Sequence, residues 1–160
     1  MDLKEKAISK LQERGVNIID MAQLVLELQI KYTPTLTLAQ CEETLLCVLA
    51  KREVSHTVLT GIAIDESVEN KSFDPMINDI IETDEPLFGI DEILALSIVN
   101  VYGSIALTNF GYLDKLKPGI IGVIDQAGKE PNHCHTFLDD IVGALVAAAI
   151  SRIAHKEKQA

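Results

Sequence analysis

The sequence predicts an all-α protein, a single-domain bundle of roughly seven to nine helices, each about three turns or more. Apolar residues recur at steps of three and four along most of the chain, which is the period of a helix with one buried face. Strand signals are poor, because the one tempting segment, residues 119–124, suits a short helix equally well. The chain has 160 residues and is 48% hydrophobic, which supports one core and one domain, 1–160.

Three helices are predicted in the N-terminal quarter of the chain. Residues 2–14 alternate apolar and charged positions and stop at Gly15, a residue that commonly ends helices. Residues 18–31 repeat that pattern. Thr37 and Gln40 have the spacing of a capping box, in which each side chain bonds the other residue's backbone, so a third helix is expected to begin there.

The rest of the chain has one further clear helix start and two long apolar stretches. Asp74 before Pro75 combines a capping side chain with a proline that suits the first helical position. Residues 93–113 carry no charge and are long enough to cross a bilayer. Polar side chains and glycines interrupt them, so we expect a buried helix in a soluble protein. Residues 141–150 are too short to span, which leaves at most peripheral membrane contact.

Charge and cysteine content exclude several classes of protein. The net charge of -10 and the pI near 4.8 make a nucleic-acid partner unexpected, because the surface repels phosphates. Cys41, Cys47 and Cys134 are odd in number and have no CxxC spacing. With no apolar signal-peptide core at the start, they predict a reducing, cytoplasmic setting. Cys47 and Arg52 lack the spacing of cysteine phosphatases, so all three cysteines are expected to be structural.

Three short clusters of charged residues next to apolar sequence predict a chemical site. Burying a carboxylate is costly unless something compensates its charge, and a divalent cation is an obvious compensator. Acids in a first helical turn also favour the helix dipole, by roughly 0.3 to 1 kcal/mol each. That explanation accounts less well for two apolar helices that both begin with adjacent carboxylates. The clusters are Asp91-Glu92, Asp114 with Lys117, and Asp139-Asp140.

The helical period also predicts how these acids are surrounded. From Asp140, steps of three and four reach Gly143, Ala144 and Ala147, a face of small side chains on which another helix can pack closely. Asp140 is expected to point into that contact. The same steps from Asp91 and Glu92 reach apolar residues, so we expect that helix to be enclosed on most sides. The small-residue faces favour a homodimer.

The order, spacing and chemistry of the segments that carry the clusters resemble the phosphatidylglycerophosphatase A family. The segments are Gly89-Ile90-Asp91-Glu92-Ile93, Phe110-Gly111-Tyr112-Leu113-Asp114-Lys115-Leu116-Lys117-Pro118 and Leu138-Asp139-Asp140-Ile141-Val142-Gly143-Ala144. The resemblance places the family motifs in residues 89–151 and matches the N-terminal half poorly. It implies a Mg²⁺-dependent phosphatase that removes the terminal phosphate from phosphatidylglycerophosphate.

This chain departs from the family pattern at three places. Ile90 stands where many members have tryptophan, and Gly111 stands where they have arginine. Residues 131–137 replace a glycine-rich stretch, and membrane spans are not evident. These departures are typical of a soluble branch whose substrate is either the lipid or a related phosphate ester.

The residue types suggest how such a site works. The carboxylates offer hard oxygens suited to Mg²⁺, which neutralises phosphoryl oxygens and acidifies an attacking water. A spare carboxylate takes the water's proton, and Lys117 holds a phosphate oxygen, unless it is only a solvated lysine. A non-catalytic metal- or ligand-binding protein and a phosphatase of a small soluble ester remain the alternatives. The expected catalytic and metal-binding residues are Asp91, Glu92, Asp114, Asp139 and Asp140.

Two other polar groups are weaker candidates. His133 and His135 flank Cys134 in a predicted loop. One HxH pair without a second ligand cluster is a weak zinc signal, so we interpret them as loop histidines, with a role at the mouth of the site as the alternative. Asp84 and Glu85 are interpreted as solvated acids.

Overall fold

The computed structural model describes residues 1–159, and over this range the chain forms nine α-helices and no strand. The prediction of an all-α fold is confirmed. Two helices, α5 and α8, have eight residues each and are shorter than expected. The helices are α1 Leu3–Glu13, α2 Ile18–Gln29, α3 Leu38–Leu49, α4 Arg52–Glu69, α5 Pro75–Glu82, α6 Ile90–Val99, α7 Ser104–Leu116, α8 Ile120–Ala127 and α9 Leu138–Gln159.

The predicted helix starts are present as local hydrogen bonds. At α3, the Gln40 N–H donates to Thr37 Oγ1 (3.2 Å), and the Thr37 N–H donates to Gln40 Oε1 (2.9 Å). At α5, the Met76 N–H donates to Asp74 Oδ1 (3.0 Å), and Pro75 occupies the first helical position. These contacts satisfy N–H groups that have no partner within the helix.

Helix α9 is the centre of the bundle. Every residue from 138 to 151 is buried, and α9 packs against α2, α3, α4, α6, α7 and α8. A methyl group at Gly143 would lie 3.7 Å from the Phe110 ring, and Ser151 Oγ donates to the Tyr102 carbonyl (2.8 Å). The small-residue face thus packs against α7, as predicted, and α7 runs antiparallel to α9. The last turn of α7 therefore lies beside the first turn of α9.

The prediction of one buried helix over residues 93–113 is wrong. The segment is a hairpin of α6 and α7, and the turn between them contains Gly103 at φ 86°. Ile93 is 66% exposed and Leu107 is 53% exposed, because each helix turns only one face towards α9. Over residues 1–159, no helix has both the length and the apolar composition needed to cross a membrane. The expected homodimer stays a prediction.

Candidate functional site

Three helix ends meet around Asp140. Asp140, in the first turn of α9, is 4% exposed, and its carboxyl group lies close enough to those of Asp114 and Asp91 for hydrogen bonding between them to raise its pKa. Asp114 lies in the last turn of α7, and the buried Asp91 lies in the first turn of α6. Side chains from three distant segments therefore reach one point. The N-terminal ends of α6 and α9 favour negative charge there through their helix dipoles.

Lys117 adds a positive charge to this group. Its Nζ donates to Asp139 Oδ2 at 2.7 Å and lies 3.7 Å from Asp114 Oδ1. Burial lowers the pKa of Lys117, but the hydrogen bond and charge of Asp139, followed by the charges of Asp114 and Asp140, outweigh burial and raise it overall. Lys117 also ends α7 in a left-handed conformation, φ 47°, at a cost of roughly 1 kcal/mol. It is an ion-pair partner of the acids rather than a freely solvated lysine.

The surroundings of Asp140 favour the protonated form of its carboxyl group when no cation is bound. Burial is the largest cause that raises the pKa of Asp140, followed by the charge of Asp139 and the hydrogen bonds with Asp114 and Asp91. Burial also raises the pKa of Asp139, against the lowering effect of Lys117. Two carboxyl groups can hydrogen-bond only when one of them carries a proton. That proton occupies the place of a compensating positive charge.

Three further acids border this group. Glu92 is exposed at the start of α6, and burial raises its pKa first, followed by the charges of Asp114 and Asp91. Asp84, which was predicted to be a solvated acid, is exposed in the structure. Its pKa is nevertheless raised, first by partial burial and then by the charge of Asp91. Asp125 on α8 lies close enough that its charge raises the pKa of Asp139. Neither Asp84 nor Asp125 was predicted to belong to the site, since neither opens an apolar helix.

The carboxylate oxygens of the cluster are suitable ligands for a hard divalent cation. The side chains do not, however, form a complete coordination shell. Within residues 1–159, no three histidine, cysteine, aspartate or glutamate side chains form a group ready to hold one metal ion. The shared proton and Lys117 occupy the oxygens that a cation would use. Mg²⁺ commonly takes only one or two protein carboxylates and keeps several waters. Loss of the proton would free the oxygens of Asp91, Asp114 and Asp140 for it.

A cavity of about 230 Å³ adjoins the acids, since Asp84 and Asp125 are among its lining residues. His135 also lines it, and Nδ1 of its ring lies 2.8 Å from the Ile124 carbonyl oxygen. Burial lowers the pKa of His135, which keeps the ring neutral. His133 lines the cavity as well and is exposed. The HxH pair thus consists of one histidine packed against α8 and one at the cavity wall.

None of the three cysteines forms a disulfide. Burial raises the pKa of Cys134 to about 12 and that of Cys41 to about 11. Neither thiol is ionised at neutral pH, and only the thiolate is a good nucleophile. These environments agree with the expectation that Cys41 and Cys134 are structural, and the expectation for Cys47 stays a prediction.

The family model for phosphatidylglycerophosphatase A matches residues 18–155, and the chain belongs to that family. The resemblance stated from the three acidic segments is confirmed. The match also takes in most of the N-terminal half, where the sequence analysis found little similarity.

Similar proteins extend over nearly the whole chain. The uncharacterized protein YpjQ of Bacillus subtilis (strain 168) is 59% identical over 145 residues, which cover 91% of this chain and 80% of YpjQ. The uncharacterized protein YutG of the same organism is 50% identical over 156 residues, which cover 98% of this chain and 93% of YutG.

Solved structures share the fold at full length. The crystal structure of YpjQ has a TM-score of 0.91 at 54% identity and covers 98% of this chain and 96% of its own. The low temperature requirement C protein from Listeria monocytogenes has a TM-score of 0.93 at 53% identity, with coverage of 99% and 98%. The nine-helix arrangement is therefore common to this chain and these relatives.

Proposed function

We propose that the protein is a Mg²⁺-dependent phosphomonoesterase that hydrolyses the terminal phosphate of phosphatidylglycerophosphate or of a related phosphate ester. The observation that carries the proposal is the meeting of the Asp91, Asp114 and Asp140 carboxyl groups beside the Lys117–Asp139 pair. Family membership supports the reaction class. The hard oxygen donors support the choice of metal.

Each residue has a role that follows from its surroundings. Asp91, Asp114 and Asp140 would hold the cation, which when bound would neutralise phosphoryl oxygens and acidify water. Lys117 stays protonated, because its carboxylate partners raise its pKa, and it holds a phosphate oxygen as a point charge. Glu92 is exposed at the edge and has a raised pKa. It is therefore placed to accept the proton of the attacking water.

The adjoining cavity favours a polar leaving group. Its walls include Thr83, Asn132, His133 and Thr136 rather than a run of apolar side chains. Such walls suit a hydroxylated alcohol better than an acyl chain, because polar groups that a ligand covers lose their water and need new hydrogen-bond partners. A phosphatase of a small soluble ester is therefore the second candidate, and it uses the same acidic cluster.

The test is release of inorganic phosphate from phosphatidylglycerophosphate in detergent micelles and from soluble esters such as glycerol 3-phosphate. We expect hydrolysis that requires Mg²⁺ and is lost in Asp140→Asn. Asp2→Asn is the matched control, since Asp2 also starts a helix and is exposed. The better substrate separates the lipid from the soluble ester. No release from any substrate with Mg²⁺ would favour the non-catalytic alternative.

A further inference from the structure

Asp65 lies in the C-terminal half of α4 and is fully buried, 0% exposed. Its Oδ1 accepts the N–H of Phe137 (3.0 Å), and its Oδ2 accepts the N–H of Leu138 (3.0 Å). Leu138 is the first residue of α9. A side chain from one helix therefore caps the start of another, where N–H groups have no partner within their own helix.

Helix α9 has no capping side chain of its own at this point. The residue before it is Phe137, which has no side-chain acceptor. The hydroxyl of Thr136 donates to the Ile81 carbonyl (2.6 Å) and accepts from Cys134 Sγ (3.6 Å), and it makes no hydrogen bond to an N–H of α9. The first turn of α9 depends on Asp65 for these two hydrogen bonds. The carboxylate also places negative charge at a helix N-terminus, which is favourable.

The chain just before this cap is clamped as well. Arg14, the residue that caps the end of α1, binds both carboxylate oxygens of Glu69 (2.7 and 2.8 Å) and donates to the Cys134 carbonyl (2.8 Å). The Cys134 N–H donates to Glu69 Oε2 (2.8 Å). Both backbone groups of Cys134 are thus fixed from α1 and α4. The chain enters α9 through a rigid connection.

We infer that Asp65 is a positioning residue of the acidic site. It touches neither Asp139 nor Asp140, but it fixes the backbone of Leu138, directly before them, and so sets the rotation of the first turn of α9. This inference rests on the proposed function, because the site that it positions is the proposed Mg²⁺ site. Residues that hold metal ligands in place commonly change metal affinity or activity by roughly 10- to 100-fold when altered.

The test compares Asp65→Asn with Ser55→Ala. Asn keeps the shape of Asp65 but turns an NH₂ group towards one backbone N–H. Ser55 lies in the same helix, is 1% exposed and donates to the Leu49 carbonyl at 2.7 Å. Its loss removes a buried hydrogen bond about 15 Å along α4 from Asp65. The readouts are the melting temperature without metal, the Mg²⁺ concentration that gives half of the maximal thermal stabilisation, and kcat and KM.

We expect both variants to lower the melting temperature, and only Asp65→Asn to raise the Mg²⁺ midpoint and lower kcat, each by roughly tenfold or more. Equal midpoints in the two variants, with normal Mg²⁺ stabilisation of the wild type, would overturn the inference alone. A wild type that Mg²⁺ does not stabilise would overturn the proposed site together with it. If Asp65→Asn does not fold, Glu69→Gln takes its place in the comparison. This variant weakens the contacts of Glu69 with Arg14 and Cys134, and we expect it to raise the Mg²⁺ midpoint as well. A Glu69→Gln midpoint equal to that of Ser55→Ala would then overturn the inference.

Discussion

Replacing Asp140 with Asn removes the group that can lose its proton and become charged, while keeping the shape of the side chain. The pKa of Asp140 is raised above its ordinary value of 3.8, so the folded protein binds more protons than the unfolded chain above about pH 4. The stability that this proton provides is complete below about pH 4 and is lost as the pH rises towards the folded-state pKa. The slope is about 1.4 kcal/mol per pH unit for each proton held.

Between about pH 4 and pH 7 this slope lowers the free energy of unfolding by at most about 4 kcal/mol. Asn has no proton to lose, and its NH₂ group can donate to Asp91 or Asp114. We therefore expect Asp140→Asn without metal to be more stable than the wild type at pH 7, by about 1 to 4 kcal/mol. Mg²⁺ should stabilise the wild type and leave the variant unchanged.

Urea unfolding in EDTA, from about pH 5 to about pH 8, measures these free energies for wild type, Asp140→Asn and the control Asp2→Asn. The control should follow the wild-type pH dependence, because Asp2 is exposed and Asn also caps helices. A variant that is less stable than the wild type at pH 7, with an unchanged pH slope, would refute the shared proton.

Three further substitutions concern Lys117 and the helix that it ends. Gly122→Ala would place Cβ 2.6 Å from the Lys117 carbonyl oxygen, so we expect a loss of about 1 to 3 kcal/mol in urea unfolding and a weaker Mg²⁺ response. Gly111→Ala, with no atom within 4 Å of the new Cβ, should instead stabilise α7 by up to about 1 kcal/mol. Equal changes in stability for the two glycine substitutions would contradict the packing described. Lys117→Gln leaves the buried Asp139 unpaired, so without metal it should lose about 1 to 3 kcal/mol at pH 7, and unchanged stability would contradict the ion pair.

Local signals in the sequence predicted the helices well. The capping box at Thr37 and Gln40 and the Asp74–Pro75 start each depend on residues only a few positions apart. The hairpin of α6 and α7 was not predicted, because an uncharged stretch of 21 residues has the pattern of a single buried helix. Which face of each helix meets α9 is a tertiary property. The composition of residues 93–113 alone does not determine which face packs against α9.

The acidic site was predictable in part for the same reason. Asp91 and Asp140 stand out because they open apolar helices, and the structure brings them together. Asp125 and Asp65 gave no such signal, since Asp125 lies within a short helix and Asp65 within a long one whose partner begins 73 residues later. Their contacts exist only once α4, α8 and α9 are packed. The metal itself stays a proposal.

The most direct test of the account is a calorimetric Mg²⁺ titration of wild type and Asp140→Asn at pH 7, repeated in buffers with different ionisation enthalpies. The heat difference between buffers counts the protons released on binding. The account predicts that wild type binds Mg²⁺ with release of a proton and that Asp140→Asn binds far more weakly. Binding that is equal in both proteins and releases no proton would contradict it.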